Sequence, residues 1–173
     1  MEQQMQRQRH LFLTGEKHIG KSTALRKLLA GREGPAGGFR TVRIMTPAGG
    51  AIHMLHAGWE EPCTGENLLL VKGRDVDEAA AERFDAIGCA ILAQSQTSAY
   101  LVMDELGPTE AAALAFKQAV FQCLEGEIPI YGVLQQAESR FLERIRAHPA
   151  VHVVTVTREN RDRLPEYLRR QGW

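Results

Sequence analysis

The sequence is poor in cysteine, with three among 173 residues and no C-x-x-C pair. An odd number of cysteines without that spacing argues against a disulfide framework or a zinc ribbon, and favours a reducing compartment. Long apolar runs are also missing, because the longest, residues 86–93, is less than half of the about 20 residues that a membrane-spanning helix needs. The polar stretch 1–9 is expected to be a flexible tail rather than a secretory signal. These absences predict a cytoplasmic protein without a membrane segment.

An excess of charge of either sign is absent as well. Lys and Arg together number 21, Asp and Glu together number 21, and the formal net charge is +0. A protein that binds nucleic acid mainly through its phosphates needs a basic face, so the balance gives no strong nucleic-acid signal. Hydrophobic residues make up 44% of the chain and charged residues 24%, as in globular proteins. The length suits a single domain, which we place at residues 10–173.

Apolar segments with strand character alternate with segments of helical spacing along the chain, which predicts an α/β domain with a mainly parallel sheet covered on both faces. Turn chemistry at residues 47–50 predicts a β-hairpin between two strands. The glycine-rich stretch 31–38 is predicted to be a loop, and residues 58–73 to be mostly irregular. Strands are predicted at His10–Thr14, 39–46, 51–57, 100–103, 128–134 and 151–156, and helices at 21–30, 77–94, 109–124, 138–147 and 160–170.

The sharpest motif is GEKHIGKS at residues 15–22, which matches G-x-x-x-x-G-K-[ST] between a predicted strand and a predicted helix. The backbone N–H groups of such a loop surround a β-phosphate at the positive end of the helix dipole. Lys21 is expected to reach the β- and γ-phosphates, and Ser22 to bind Mg²⁺ through its hydroxyl. His18 stands where many such loops have glycine, and a positive φ costs His less than most residues. The alternative is a glycine-rich turn that binds nothing.

Two carboxylates follow the apolar strand in YLVMDE, residues 100–105. Asp104, at the carboxyl end of that strand, is expected to hold Mg²⁺ opposite Ser22. Glu105 is expected to polarise the attacking water as a general base. The alternative is an ordinary strand end that turns into an acidic helix cap. Together with the phosphate loop, the pair predicts Mg²⁺-dependent hydrolysis of nucleoside triphosphates, with Lys21 and Glu105 as the catalytic residues.

Arginines near the end of the chain are weaker candidates. Arg158 follows the last apolar strand, at the edge where open α/β sheets bind ligands, and it is expected to stack on the base or neutralise a phosphate. Arg161 is a second candidate there, and the alternative for both is a helix cap with solvated arginines. Arg140, Arg144 and Arg146 lie on one predicted helix, and a solvated helix face explains them better than a nucleotide-kinase lid.

The sequence resembles a known family, the small P-loop nucleoside-triphosphatases that include the human cancer-related NTPase and its archaeal and bacterial relatives. Four patches carry the likeness, HLFLTGEKHIGKST, GGFRT, LVMDELGPTE and VTRENRDRLP, and they span nearly the whole chain in the family's order. The resemblance implies a three-layer fold with a RecA-like sheet and an inserted β-hairpin. It also implies hydrolysis of ATP, GTP and other nucleoside triphosphates to diphosphate and phosphate with Mg²⁺. The hairpin departs from the family pattern, where TVRIM and AIHMLHA replace the usual residues and Arg43 is the candidate for a shifted arginine.

Carried over residue by residue, the resemblance implies two nucleotide-contacting segments, with Ser22 and Asp104 as the metal ligands. The first segment comprises Gly15, Glu16, Lys17, His18, Ile19, Gly20, Lys21, Ser22 and Thr23, and the second comprises Leu101, Val102, Met103, Asp104, Glu105, Leu106, Gly107 and Pro108.

Two other functions stay open at this level. A nucleotide or small-molecule kinase would use the same loop, but no acceptor site or lid stands out in the sequence. A nucleotide-dependent switch with slow hydrolysis is the other, and GTPases of that type carry an N/T-K-x-D motif that this sequence lacks. The lack of that motif also predicts poor discrimination among bases. The sequence identifies no protein partner.

Overall fold

The computed structural model describes residues 8–47, 49–71, 78–108 and 112–173. Most of the predicted tail and the predicted helix start at 109 lie outside these ranges. Gln8 and Arg9 belong to the domain, because Gln8 Nε2 and the Arg9 backbone N–H donate to the carbonyls of Val151 and Ala150. The elements are β1 His10–Thr14, α1 Lys21–Leu29, β2 Ala36–Thr46, β3 Gly49–His56, β4 Leu68–Val71, α2 Glu78–Arg83, a π-helical turn Phe84–Gly88, α3 Cys89–Gln94, β5 Tyr100–Leu106, α4 Leu114–Glu125, β6 Ile130–Leu134, α5 Arg140–Arg146, β7 Val151–Thr155 and α6 Leu164–Arg170.

The strands form one sheet in the order β4-β3-β2-β5-β6-β1-β7. In the part of the sheet ordered β2-β5-β6-β1-β7, every neighbouring pair is parallel. At the other edge, β3 pairs antiparallel with β2, and β4 pairs antiparallel with β3. The prediction of a mainly parallel sheet with a hairpin is confirmed. Because the strands from β2 to β7 run the same way, their carboxyl ends meet at one edge, where ligands bind in open α/β sheets.

Strand β1 shows why helices cover both faces of the sheet. Successive side chains of a strand point to opposite faces. Leu11 and Leu13 pack with residues of α1 and α6, whereas Phe12 packs on the opposite side with residues of α3, α4 and α5. All three side chains are fully buried. The chain therefore folds into three layers, as predicted.

The helix predicted at 77–94 is interrupted, with residue 77 outside the described ranges. The π-helical turn Phe84–Gly88 separates α2 from α3. Gly88 ends that turn, and a Cβ added there would collide with the ring of Phe116 on α4. Close helix packing therefore accounts for a glycine that would otherwise weaken the helix.

Two predictions around the hairpin were wrong in part, although residues 31–35 and 58–64 form no helix or strand, as predicted. Strand β2 begins at Ala36 rather than after residue 38, because Gly37 and Gly38 pair with the start of β5. Gly38 has a φ of +82°, and a Cβ there would collide with the backbone of Val102, so these glycines belong to a crowded strand rather than to a loop. The stretch predicted as irregular contains β4, which pairs with β3 and buries Leu69 completely.

Two helices begin later than predicted. Helix α4 starts at Leu114 rather than at 109, since Ala113 has an extended backbone. Helix α6 starts at Leu164 rather than at 160, with Pro165 in its first turn, where the missing N–H is not needed. The residues before α6 form a turn in which Asn160 Oδ1 accepts the backbone N–H of Thr157 at 2.8 Å. Within the described residues, no helix has the length and apolarity to cross a membrane.

Candidate active site

The phosphate-loop motif connects β1 to α1, at the sheet edge where the parallel strands end. Its backbone has positive φ at Gly15 (140°), His18 (62°) and Gly20 (107°). A Cβ at Gly15 would lie 2.5 Å from the carbonyl oxygen of Val156, so a side chain would disturb the loop's contact with the chain after β7. His18 thus has a left-handed backbone conformation, which costs histidine less than most residues.

Lys21 is the first residue of α1 and is 8% exposed. Its Nζ donates to the carbonyl oxygens of Gly15 at 3.0 Å and Glu16 at 2.8 Å. The ammonium group therefore lies against the backbone of the phosphate loop that precedes it. The N-cap, Gly20, has no side chain to bond the first N–H groups of α1, so these donors are available to an anion at the positive end of the helix.

Ser22 and Asp104 join α1 to β5. Ser22 Oγ donates to Asp104 Oδ1 at 2.8 Å. Burial raises the pKa of the Asp104 carboxyl above its usual range, and the Ser22 hydrogen bond opposes that rise. A partly buried carboxylate beside a hydroxyl is a donor set that suits Mg²⁺, because this ion prefers hard oxygen ligands and binds through one or two protein oxygens plus substrate phosphates. The two residues predicted as metal ligands are therefore adjacent and chemically suited to the ion.

Glu105 lies next to this pair and is partly exposed. The peptide bond that joins it to Asp104 is cis. Gln135, at the end of the neighbouring strand β6, donates from Nε2 to Glu105 Oε1 at 2.7 Å. The carbonyl oxygen of Gln135 in turn accepts a bond from Arg146 of α5 at 2.7 Å. A Cβ at Gly107 would lie 2.8 Å from Gln135 Cδ, so the glycine leaves room for this side chain.

Sequence reasoning missed Gln135. The residue directly follows the apolar strand β6, and a polar residue at the end of a predicted parallel strand could have been identified from the sequence as a candidate site residue. Arg146, assigned to a solvated helix face, donates to the backbone carbonyl of the same residue and so connects it to α5, while Phe141 and Ile145 of that helix are buried.

A cavity of about 460 Å³ brings these residues together. Lys21, Ser22, Asp104, Glu105 and Gln135 line one side of it, with other residues of the phosphate loop. The opposite side comes from β2, β3, β4 and the π-helical turn, and it consists of Thr41, Val42, Arg43, Ile52, Leu69, Leu70 and Phe84.

A second cavity of about 510 Å³ lies on the other side of the phosphate loop. Gly15, Glu16 and Ile19 of the loop line it together with Arg158 and neighbouring residues of the turn after β7. The turn is fixed by Asn160, whose Nδ2 donates to the carbonyl of Thr155 at 2.9 Å. Arg158 is exposed at this cavity, whereas Arg161 lies near Gly20 and faces Asp162 at 4.0 Å.

Several residues of the second predicted segment lie away from the cavity. Leu101, Met103 and Leu106 are at most 1% exposed and belong to the core. Val102 packs on the opposite face of the sheet, and Pro108 is exposed. The strand therefore positions Asp104 and Glu105 while its apolar side chains fill the layers on either side.

The chain matches, over residues 10–168, a family model described as NTPase. The nucleoside-triphosphatase THEP1 of Methanosarcina acetivorans is 30% identical to it, with 94% of this chain and 98% of the relative covered. The chain belongs to this NTPase family. Another member, the human cancer-related nucleoside-triphosphatase, is 29% identical over 90% of this chain and 92% of its own. Membership places the chain among the hydrolases.

Two solved structures of the NTPase family share the fold. The crystal structure of THEP1 from Aquifex aeolicus has a TM-score of 0.72 at 20% identity, and the match covers 92% of this chain and 96% of that one. The solution structure of the human cancer-related nucleoside triphosphatase has a TM-score of 0.64 at 25% identity, covering 95% and 97%. The P-loop NTPase fold implied by the sequence motifs is confirmed.

Proposed function

We propose that this chain hydrolyses nucleoside triphosphates, including ATP and GTP, to nucleoside diphosphate and phosphate, with Mg²⁺ as cofactor. The observation that carries the proposal is the meeting of the phosphate loop, the Ser22–Asp104 pair and Glu105 at one cavity. Each of these three parts supplies one requirement of phosphoryl transfer, namely phosphate binding, metal binding and activation of the nucleophile.

The loop and the first turn of α1 bind the phosphates in this proposal. The N–H groups of that turn donate to phosphate oxygens. Lys21 exchanges its bonds to the neutral carbonyls of Gly15 and Glu16 for stronger bonds to the β- and γ-phosphates, in which both partners are charged. Arg158, at the cavity on the other side of the loop, contacts the nucleoside end or an outer phosphate.

Ser22 and Asp104 would hold Mg²⁺ through their oxygens. When bound, the ion neutralises charge on the phosphate oxygens. The pKa direction of Asp104 supports this role, since a carboxylate that burial disfavours gains most from a nearby cation. The resulting requirement for Mg²⁺ distinguishes this site from one that binds phosphate through its lysine alone.

Glu105 takes a proton from the attacking water. Gln135 holds Oε1 of this carboxylate, and the water is expected to bond to the other oxygen, Oε2. The water oxygen then bonds to the γ-phosphorus, and the bond to the bridging oxygen breaks with its electron pair on the diphosphate. Gln135 is in this sense a positioning residue for the base.

The proposal extends to base preference and location. Since no guanine-reading motif is present, we expect ATP and GTP to be used at comparable rates. The three cysteines are not disulfide-bonded, which agrees with the predicted cytoplasmic location.

The test is phosphate release from ATP and from GTP by the purified chain and its variants. Lys21→Ala is expected to abolish turnover, whereas Lys27→Ala, an exposed lysine of the same helix, is expected to leave it unchanged. Glu105→Gln is expected to lower turnover by about 10²–10⁴ while nucleotide affinity stays near wild type. Removal of Mg²⁺ with a chelator is expected to stop phosphate release.

Two results would contradict the proposal at different levels. Near wild-type turnover in Glu105→Gln would remove this residue from the mechanism but leave hydrolysis in place. No phosphate release by folded protein with any nucleoside triphosphate and Mg²⁺ would refute the function.

A further inference from the structure

The cavity at the phosphate loop is much larger than the attacking water molecule. A water molecule has a share of about 30 Å³ in the liquid. The cavity has a volume of about 460 Å³, which lies in the usual range of small-molecule sites, about 300–1,000 Å³. In the proposed function the β- and γ-phosphates lie next to Lys21 and Ser22, which leaves the part of the cavity beyond the two carboxylates for another group.

The far wall of this space is apolar. Ile52, Leu69 and Leu70 come from β3 and β4, and Phe84 comes from the π-helical turn. Leu69 and Phe84 are 0% and 3% exposed, so these side chains are fixed by the core behind them. An apolar wall offers a water molecule few hydrogen bonds, whereas it suits the face of a ring.

Three backbone irregularities surround the same space. The π-helical turn begins at Phe84. The pairing of β3 with β4 shifts register between Ile52 and His53, and the pairing of β5 with β6 shifts between Asp104 and Leu106. Such turns and bulges redirect side chains and occur frequently at functional sites. Their concentration around one cavity favours a built site over a gap in packing.

Arg43 supplies a positive charge at the outer end of the apolar wall. Its side chain lies across Gly50, where Cγ and Cδ are each 3.6 Å from the position of an added Cβ. Within the described residues its guanidinium makes no ion pair, although it lines the cavity. An arginine in this setting is suited to bind a phosphate or carboxylate group.

We propose that this space binds a second substrate, a small alcohol that carries an apolar ring and an anionic group, and that the enzyme transfers the γ-phosphoryl group to its hydroxyl. The ring contacts the wall formed by Ile52, Leu70 and Phe84, and the anionic group contacts Arg43. The inference rests on the proposed function, because it uses the same phosphate loop and the same base. Hydrolysis is then the reaction that takes place when water occupies the acceptor position.

The transfer follows the same course as hydrolysis. The hydroxyl oxygen of the alcohol forms a bond to the γ-phosphorus as its proton passes to Glu105. The bond between the γ-phosphorus and the bridging oxygen breaks, and its electron pair stays on the nucleoside diphosphate. The products are a phosphomonoester, the diphosphate and one proton, which Glu105 releases to solvent.

The experiment supplies the enzyme with ATP labelled in its γ-phosphoryl group, Mg²⁺ and one of two probes. The first probe is the small-molecule fraction of a cell extract, and the second is a mixture of small alcohols that each carry an aromatic ring and a carboxylate or phosphate group. Mass spectrometry measures labelled inorganic phosphate and labelled phosphomonoesters separately. We expect at least one labelled ester, with a matching fall in released phosphate.

Variants assign the ester to the cavity. Leu70→Trp fills the space, and Arg43→Gln removes the charge from an exposed position where folding is not at risk. Arg43→Gln is expected to lower the ratio of ester to phosphate by about tenfold or more, the effect of losing one hydrogen bond to a charged group. Leu70→Trp is expected to lower the same ratio because the larger side chain excludes the ring of the alcohol. Met45→Ser, at a 76% exposed position on the same strand as Arg43, is the control and should keep the wild-type ratio. Circular dichroism of each variant verifies the fold.

The outcomes separate the two proposals. Phosphate release without any labelled ester, at one rate with and without the probes, would overturn the second-substrate inference and leave hydrolysis standing. An ester whose yield is the same in Arg43→Gln and Leu70→Trp as in wild type would also overturn it, because the acceptor would then bind elsewhere. If neither ester nor phosphate forms, the proposed function itself fails.

Discussion

His10, the first residue of β1, is expected to make the protein sensitive to mild acid. Its side chain is fully buried. The backbone N–H of Ile130 donates to its Nδ1 at 3.1 Å, and its Nε2 lies 2.9 Å from the carbonyl oxygen of Leu124. Because Nδ1 accepts a hydrogen bond, the proton of the neutral ring must be on Nε2, which donates to Leu124. A second proton on Nδ1 would break the bond with Ile130.

The size of the effect follows from the pKa. Burial lowers the pKa of His10 from 6.5 to about 4. Since the folded-state pKa is the lower one, the unfolded chain takes up the proton first. The stabilisation is therefore complete above about pH 6.5 and is lost as the pH falls towards 4. With about 1.36 kcal/mol per pKa unit, the loss reaches about 2 kcal/mol at pH 5 and about 3 kcal/mol at pH 4.

Urea unfolding, followed by the fluorescence of Trp59 and Trp173, measures this effect at pH 7.5 and pH 5. The matched variant is His10→Gln, whose amide can donate to Leu124 and accept from Ile130 but does not titrate. We expect the free energy of unfolding to fall by about 2 kcal/mol more in wild type than in the variant between these pH values. An equal fall in both proteins would refute the argument that His10 is held neutral by burial.

Two further predictions concern the site and the packing. Gln135→Ala is expected to lower kcat of phosphate release about tenfold with little change in KM, because Glu105 loses a hydrogen bond but the phosphates keep their contacts. An unchanged kcat would remove Gln135 from the mechanism. Gly88→Ala is expected to lower the free energy of unfolding by about 1–3 kcal/mol, because the added Cβ collides with Phe116. In the control Gly65→Ala the added Cβ meets nothing within 4 Å, so the free energy of unfolding should change by about 0.5 kcal/mol or less. Chemical denaturation measures both changes.

The parts of the fold that follow from local pattern were predictable. His10–Thr14 is a short apolar run that ends at a glycine, and its neighbours do not alter that assignment. Strand β4 was missed because it is four residues long and owes its structure to pairing with β3. Gly37 and Gly38 were assigned to a loop because glycine usually indicates turns, whereas here the close approach of β5 requires residues without side chains.

The residues of the candidate site likewise fall into those that a local sequence pattern predicts and those that only the tertiary structure brings together. Lys21 and Ser22 are close in sequence, and their motif fixes their geometry, so the sequence placed them together. Asp104 could be added because a strand end and a carboxylate are visible locally. Gln135 lies 30 residues beyond Glu105, and only the adjacency of β5 and β6 brings the two together. Strand order is a tertiary property that no local pattern contains, and the acceptor wall was hidden from sequence analysis for that reason.

The resting position of Lys21 has a consequence for selectivity. When a ligand binds, Lys21 gives up its bonds to the carbonyls of Gly15 and Glu16. The binding free energy therefore includes only the difference between those bonds and the bonds that Lys21 makes to the ligand's oxygens. An anionic oxygen attracts the ammonium group as a full opposite charge, which a neutral carbonyl oxygen does not, so the difference is large for a polyanion and nearly nil for an uncharged compound of the same shape. The phosphate loop thus selects anionic ligands over uncharged ones through Lys21, independently of any contact with the sugar or the base. Simple multivalent anions at high concentration should accordingly compete for this position, whereas uncharged mimics should not.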